Sequence, residues 1–225
     1  MAPPRNTRRR SALADAAIEV LGSAGIHKLS HRAVDERAAL PAGTAANYFP
    51  RRDDLLAAAA ARIAELHVAE MTAADRAATA EANASSGAPA GPDALAELIG
   101  ASLYDAATRN RTRYLAAYEL AVESTRQQPA LAEAMSRLGA SALETTIAEH
   151  RSLGLPTTPE QVQALMALYN GTLLTLIVAP PETVTPEVTA VLARCLVTGV
   201  LHAMPGASGN RYSYEDGMPG VTPRS

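Results

Sequence analysis

The chain is poor in the residues that give most cores their variety. Its 225 residues include no tryptophan, one phenylalanine and one cysteine, and only 4% are aromatic although 48% are hydrophobic. The core must therefore consist mainly of alanine, leucine and valine, a composition that favours closely packed helices. The lone Cys195 excludes an internal disulfide, so nothing points to an oxidising compartment.

Long hydrophobic runs are also missing. The longest aliphatic stretch, LLTLIVA at 173–179, is far shorter than the roughly 20 residues that a transmembrane helix needs. The N-terminal arginines are not followed by an apolar segment, so we expect no secretory signal. These features predict a soluble, cytoplasmic protein without membrane contact.

The sequence lacks the common motifs of catalysis and metal binding. It has no glycine-rich phosphate loop, no paired cysteines and no His-x-x-x-His pattern. His67, His150 and His202 each lie alone on a predicted helix, among carboxylates that are typical of an amphipathic surface. We therefore expect no enzyme, no metal site and no cofactor. A helical enzyme with a hydrophobic pocket is an alternative hypothesis.

Charge is divided unevenly along the chain. Residues 1–52 carry nine Lys or Arg and four acidic residues, a balance of +5, whereas the rest carries 11 basic and 19 acidic residues, a balance of −8. This division suggests that the N-terminal part meets a polyanion and the remainder has another task. A solvated basic tail is the alternative explanation for the arginines at 8–10.

Apolar residues recur at helical spacing along most of the chain, and no useful stretch alternates as a strand would. This pattern predicts an all-α fold of about nine helices. Helices are expected at about 8–24, 30–38, 41–49, 54–75 or beyond, 93–107, 112–127, 130–152, 159–178 and 186–204. Residues 79–92 are rich in Ser, Gly and Pro and predict a flexible loop or a frayed helix end. The tail from 205 to 225 is predicted to be flexible.

Local signals place the first helices. Ser30 is suited to cap the second helix, and Leu29 and Val34 occupy the positions of a hydrophobic staple. Pro41 fits the first residue of a third helix, because its missing N–H would have no partner there. Three short helices joined by tight turns form a helix-turn-helix layout.

The third helix, within LPAGTAANYFPRR at 40–52, carries unusually small side chains. Small residues would let its backbone approach the DNA major groove, while polar ones project hydrogen-bonding groups toward the bases. The small positions are Gly43, Ala45 and Ala46, and the polar ones are Thr44, Asn47 and Tyr48. Arg51 and Arg52 follow, where they can clamp phosphates. A short alanine-rich connector with solvated arginines is the alternative.

The stretch LSHRAVDERAALPAGTAANYFPRRDDLL at 29–56 resembles the DNA-binding signature of TetR-family transcriptional regulators, without a gap over 28 residues. It departs from the commonest pattern at Ala46, where many members have tyrosine, and at Pro41, where a capping serine is common. The resemblance implies a homodimer of all-helical subunits. Each subunit would have a three-helix DNA-binding domain, a connecting fourth helix, and a C-terminal domain that binds an effector and dimerises through its last two helices.

Carried over position by position, the resemblance implies that Arg32, Thr44, Asn47 and Tyr48 meet DNA and that Arg52 makes a basic phosphate contact. The domains would be a DNA-binding domain at 1–52, an effector-binding and dimerisation domain at 53–204, and the tail. We expect a ligand-responsive regulator, foremost a repressor that a small molecule releases from a palindromic double-stranded operator. A helical binding or adaptor protein without DNA is the rival hypothesis.

The last two helices are apolar over much of their circumference, as expected of helices covered on two sides. Paired hairpins of a dimer could then close a four-helix bundle, although an ordinary buried core helix is the alternative. The predicted interface residues are Leu165, Tyr169, Leu173, Leu192, Cys195, Leu196 and Gly199.

Polar groups on apolar helical faces are candidates for an effector pocket. Ordinary packing is the alternative for any one of them. The predicted set is His67, Met71, Tyr104, Tyr114, Tyr118, Glu119, Met135, Tyr169 and Asn170.

Overall fold

The structure, a computed structural model, describes residues 4–84, 91–126, 129–155 and 157–203. Nine α-helices lie in these ranges, with short 3-10 turns at Ile26–Lys28 and Pro181–Thr183. The helices are α1 (Pro4–Ala24), α2 (His31–Arg37), α3 (Thr44–Tyr48), α4 (Arg52–Ala84), α5 (Pro92–Ala107), α6 (Arg111–Ser124), α7 (Pro129–Ser152), α8 (Pro159–Val178) and α9 (Pro186–Ala203). The described residues contain no strand, which confirms the all-α prediction.

The predicted cap of the second helix is confirmed, whereas the predicted start of the third is wrong. The Ser30 side chain accepts the N–H of Ala33 at the start of α2. Pro41 does not begin α3. It lies three residues before the helix, and its carbonyl accepts the N–H of Thr44 in a turn. The helix begins only after Gly43, which adopts φ +87°.

The fourth helix extends beyond residue 75, within the predicted bounds of 54–75 or beyond. It continues to Ala84, so the first part of the expected 79–92 loop is helical. Residues 85–90 and the predicted tail at 205–225 lie outside the described residues.

The N-terminal helices share one core with part of the C-terminal region. Phe49, the single phenylalanine of the chain, is buried among residues of α1 such as Leu13 and Leu21 and so anchors α3 on α1. The same apolar cluster continues into Leu120 of α6 and Leu131 of α7. Helix α1 also packs extensively along α6. The division at residue 52 therefore does not interrupt the core.

Helices α5, α8 and α9 form the second part of the molecule, with two further apolar clusters among them. Among the described helices, α8 alone is long and apolar enough to cross a membrane by length and composition. In this fold α8 instead packs against α5, α7 and α9. The core helix of a soluble protein meets the same criteria.

Candidate functional site

Helix α3 is fastened to the protein by one face and open on the other. Ala45 and Phe49 are fully buried, whereas Ala46 and Asn47 are exposed. The prediction that Ala45 contacts DNA is therefore wrong, because its methyl group packs in the core beneath the helix. The opposite side of this five-residue helix is exposed.

The polar side chains of α3 differ in how freely they can reach outward. Asn47 is exposed. Thr44 is half-buried, and its hydroxyl donates to the carbonyl of Pro41. Tyr48 is half-buried and packs against the core cluster. Asn47 is thus the best placed of the three for base contacts.

The backbone conformation at position 43 explains why a glycine stands there, a reason that the sequence interpretation did not supply. Its φ of +87° lies in the left-handed region, which residues other than glycine rarely adopt. A Cβ there would meet no protein atom within 4 Å, so crowding inside the protein is not the reason for glycine. Close approach to DNA at Gly43 stays a prediction.

The three predicted arginines are engaged within the protein in different ways. Arg32 is exposed and pairs with Glu36 at 2.8 Å. Arg51 makes two bonds to the carboxylate of Asp54, and this hydrogen bonding holds the pKa of Asp54 below its ordinary value. Arg32 and Arg51 present charge at the surface near α3, as phosphate contacts would require.

Arg52 is more deeply set than a surface phosphate clamp. It is half-buried, and its guanidinium donates to the carbonyls of Ile26 at 2.6 Å and Leu29 at 3.4 Å. The side chain therefore ties the first turn of α4 to the segment before α2. Its contact with a phosphate stays a prediction.

Two residues that the sequence interpretation missed hold the ends of α3. Both carboxylate oxygens of the buried Asp35 accept backbone N–H groups, from Gly43 and Ala45. The ring of His31 bonds the carbonyl of Phe49. The spacing of four residues on α2 was the only sequence signal for this pair.

A second set of polar groups lies between α5, α6 and α8. It is built around a tyrosine cluster formed by Tyr104, Tyr114, Tyr118 and Tyr169, which packs against the apolar residues of these helices. The hydroxyl of Tyr118 donates to the carbonyl of Asn170 at 2.8 Å. The hydroxyl of Tyr169 bonds that of Ser102, also at 2.8 Å. Four predicted effector residues are thereby brought together.

Charged residues border the tyrosine cluster. Arg113 donates to Glu70 of α4 and lies 5.2 Å from the centre of the Tyr114 ring. Arg111 donates to the carbonyl of Ile177 at 3.0 Å. Sequence interpretation missed Glu70 and both arginines, because surface charges are common on every helix.

Burial disfavours the charged forms of the tyrosines and of a nearby histidine. It raises the pKa of Tyr118 to about 12 and also raises the pKa of Tyr114 and Tyr169. Burial likewise lowers the pKa of His67, which the nearby Glu70 opposes. The cluster therefore combines aromatic rings with neutral hydroxyl groups.

Other members of the predicted effector set lie elsewhere. Glu119 accepts the N–H of Ile26 at 3.3 Å, so it faces the N-terminal helices instead of the tyrosines. Met135 packs against the N-terminal core cluster. Asn170 is exposed, and its amide bonds its own helix. The side chain of Met71 lies outside the described residues.

The predicted dimer residues divide between the two sides of α8 and α9. Leu165 and Leu173 are buried inside the subunit, so their assignment to an interface is wrong. Tyr169, Leu192 and Leu196 are half-buried, and Cys195 and Gly199 are exposed. The two helices also carry an exposed apolar face, which consists of Leu168, Leu174, Val178, Val188 and Val191.

Metal binding finds no obvious place in this arrangement. Within the part of the chain that the structure describes, no group of three or more His, Cys, Asp or Glu could hold an ion.

Two surface cavities of about 370 Å³ and about 230 Å³ lie away from the tyrosine cluster. The larger is lined by residues that include Thr157 and Leu201.

Comparisons with known proteins agree with this architecture. A family model described as the tetracyclin repressor-like C-terminal domain matches residues 90–201. The solved structure of the multidrug binding protein EbrR complexed with ethidium is 28% identical, covers 85% of this chain and 98% of that chain, and has a TM-score of 0.59. A TetR-family member from Streptomyces coelicolor A3 is 29% identical, with 88% and 98% covered and a TM-score of 0.60. No curated protein matches the chain significantly.

A transcriptional regulator from Rhodococcus sp. Rha1 shares the fold, with 19% identity, 86% of this chain and 96% of that chain covered, and a TM-score of 0.66. The family model covers α5 to α8 and nearly all of α9, and the structural matches cover most of the chain. The signature at 29–56 lies in the helix-turn-helix that precedes this region. The chain therefore belongs to the TetR family of transcriptional regulators.

Proposed function

We propose that the protein is a ligand-responsive repressor, which binds a palindromic operator as a homodimer and leaves it when a small-molecule effector binds. The observation that carries the proposal is the placement of α3, which is anchored by Ala45 and Phe49 and presents Asn47 outward. A helix held in this way can enter the major groove of DNA. The basic balance of residues 1–52 favours contact with phosphates.

Base reading is assigned to Asn47. An asparagine amide can bond both N6 and N7 of adenine, and each such pair contributes about 1 to 3 kcal/mol of discrimination. Arg32 and Arg51, together with the arginines at 8–10, would supply affinity that weakens as salt is raised. Sequence preference and salt dependence are thus assigned to different residues.

The experiment begins with selection of duplexes from a random library by the wild-type protein. Asn47→Ala should lose about 1 to 3 kcal/mol on the selected duplex and much less on random DNA. Asn110→Ala, which removes an amide from the start of α6, is the matched control. Equal losses on both DNAs would remove Asn47 from base reading. Failure of the wild-type protein to enrich any sequence would favour a helical adaptor instead.

The tyrosine cluster is our proposed effector site, and we assign to it a planar aromatic ligand. The support is the convergence of four tyrosines from three helices, with neutral hydroxyls at their edges. EbrR, which shares 28% identity with this chain, was solved with ethidium bound. Aromatic rings stack on one another at a gain of about 0.5 to 1.5 kcal/mol per pair.

Ethidium itself is a practical probe of this site. The chain has no tryptophan, so its intrinsic fluorescence comes from tyrosine and should be quenched as ethidium binds without DNA present. Tyr114→Ala should weaken binding about tenfold or more, because a stacking surface is removed. Thr157→Ala, in the larger of the two surface cavities, should leave binding unchanged. The opposite pattern would move the effector site to that cavity.

Helix α6 offers a route from effector to DNA. One side of α6 carries Tyr114 and Tyr118, while another carries Glu119 against Ile26 and packs along α1. A ligand that separates the tyrosines would displace α6 and, with it, the N-terminal helices. Release from DNA requires that the ligand bind the displaced state more tightly than the DNA-competent one.

The exposed apolar face of α8 and α9 is our proposed dimer interface. Val178 and Val191 are the most exposed of its members, at 71% and 52%. A second copy of the chain would cover this face by forming a four-helix bundle. Two copies of α3 would then be held at the fixed separation that a palindromic operator needs.

A further inference from the structure

The reading helix is too short to be stable alone. Helix α3 has five residues, whereas isolated helices shorter than about 12 to 15 residues are marginal in water. Its N-terminus has no capping side chain of its own, because the cap position is Gly43. Its orientation must therefore be imposed by contacts with other parts of the protein.

The N-terminus of α3 is capped from α2. Asp35 is 2% exposed and is the one buried acidic residue among those that the structure describes. One of its oxygens accepts the N–H of Gly43 and the other accepts the N–H of Ala45, each at 2.7 Å. Hydrogen bonds to an ionised carboxylate are stronger than neutral ones, and negative charge is favoured at a helix N-terminus.

The C-terminal end of α3 is held from the same helix. His31 lies one turn before Asp35 on α2, and its Nε2 atom is 2.6 Å from the carbonyl oxygen of Phe49. A carbonyl oxygen can only accept, so Nε2 carries the proton. The donor is thus at the C-terminal end of α3 and the acceptor at its N-terminal end, in agreement with the direction of the helix dipole.

We propose that His31 and Asp35 form a clamp that sets the orientation of α3 and thereby the sequence-specific part of DNA affinity. Neither side chain needs to touch a base, so both are positioning residues. The inference rests on the proposed function of α3 as the reading helix. Non-specific affinity depends on charge near phosphates and is less sensitive to the exact orientation of α3.

Asp35→Asn gives a test in which the sign of the effect is informative. Removing a negative charge near DNA should strengthen binding to all sequences if Asp35 acts only through its charge. Loss of the clamp should instead weaken binding to the selected duplex by about tenfold or more, since an amide replaces one of the two acceptor oxygens. Asp53→Asn, an exposed position at the start of α4 with the same charge change, is the matched control.

His31 supplies a second test that does not disturb a buried charge. His31→Ala should lower the ratio of specific to random DNA affinity, and His31→Gln should restore part of it by providing a new N–H donor. Circular dichroism and thermal unfolding check that the variants fold. An unchanged ratio in folded Asp35→Asn and His31→Ala proteins would overturn the clamp.

Amide hydrogen exchange separates the clamp from the proposed function. Asp35→Asn should speed exchange at Gly43 and Ala45 at least about tenfold while leaving Ala38, whose amide bonds Val34 within α2, nearly unchanged. Equal exchange in both proteins would overturn the clamp even if DNA is bound. If the wild-type protein selects no sequence, the assignment of α3 to base reading fails, whatever the exchange data show.

Discussion

The N-terminal and the C-terminal helices of this chain differ in the contacts on which they depend. Hydrogen bonds hold the ends of α3, whereas most side chains of α8 and α9 are apolar. Helix α3 is held by directional bonds from Asp35 and His31 and by the buried ring of Phe49. Helices α8 and α9 instead expose several large aliphatic side chains, among them Leu168, Val178 and Val191. The proposed base reading requires a fixed orientation of α3, which directional bonds provide, whereas burial of apolar surface is not directional.

The tyrosine cluster stands between these two extremes. Its rings pack as apolar groups, but the hydroxyls of Tyr118 and Tyr169 already have partners in this structure. If the proposed effector binds there, it must replace those bonds as it enters, which would favour molecules with polar edges. Under the proposed function, DNA specificity would depend on the fixed contacts of α3, while the tyrosine cluster would exchange its hydrogen-bond partners.

The largest expected effect concerns the junction of the two regions. A Cβ on Gly22 of α1 would overlap the backbone carbonyl of Thr112 on α6. Gly22→Ala should therefore force these helices apart and lower the free energy of unfolding by about 3 kcal/mol. Urea unfolding measures this. Gly139→Ala, where a Cβ meets nothing, should instead stabilise α7 by up to about 1 kcal/mol.

The next largest effect is a weakening of the dimer, which tests whether valines on the exposed apolar face differ from an exposed valine elsewhere. Val191→Asp should weaken the dimer about 100-fold, because a charge would be buried in the proposed bundle without a partner. Light scattering over a range of protein concentrations reports the change. Val122→Asp is the control, since Val122 is equally exposed at 55% but lies on α6. Equal effects of the two substitutions would contradict the interface.

A smaller effect should come from the bond between the two regions. Glu119→Gln weakens a charge-assisted bond to the N–H of Ile26 and should cost about 1 kcal/mol of stability. If α6 transmits the effector signal, the same change should reduce the ability of ethidium to release DNA more than it reduces ethidium binding. Matched losses in binding and release would leave α6 without a role in transmission.

The smallest effect is a dependence of stability on alkaline pH. The pKa of Tyr118 is raised from 10.0 to about 12, so the folded protein keeps a proton that the unfolded chain loses. Stability from this group is present below pH 10 and is lost as the pH rises to about 12. Tyr118→Phe should flatten this part of a plot of unfolding free energy against pH. An unchanged slope would place Tyr118 in water.

Much of the fold followed from local patterns. Apolar periodicity and proline positions predicted the helices, and Ser30 predicted the start of α2, because these signals act within one or two turns of the chain. The start of α3 was misplaced, since a proline suits both a first helical turn and the preceding loop.

By itself the sequence determined the helical architecture, the family signature and the exposed role predicted for Asn47. Only the tertiary structure decided which apolar positions the neighbouring helices cover. Ala45 and Leu173 are buried by them, whereas Val178 is exposed. The tertiary structure also decided that Asp35 meets the amides of α3. The physical reason is that periodicity identifies a face of a helix, whereas its partner depends on how separate helices cross.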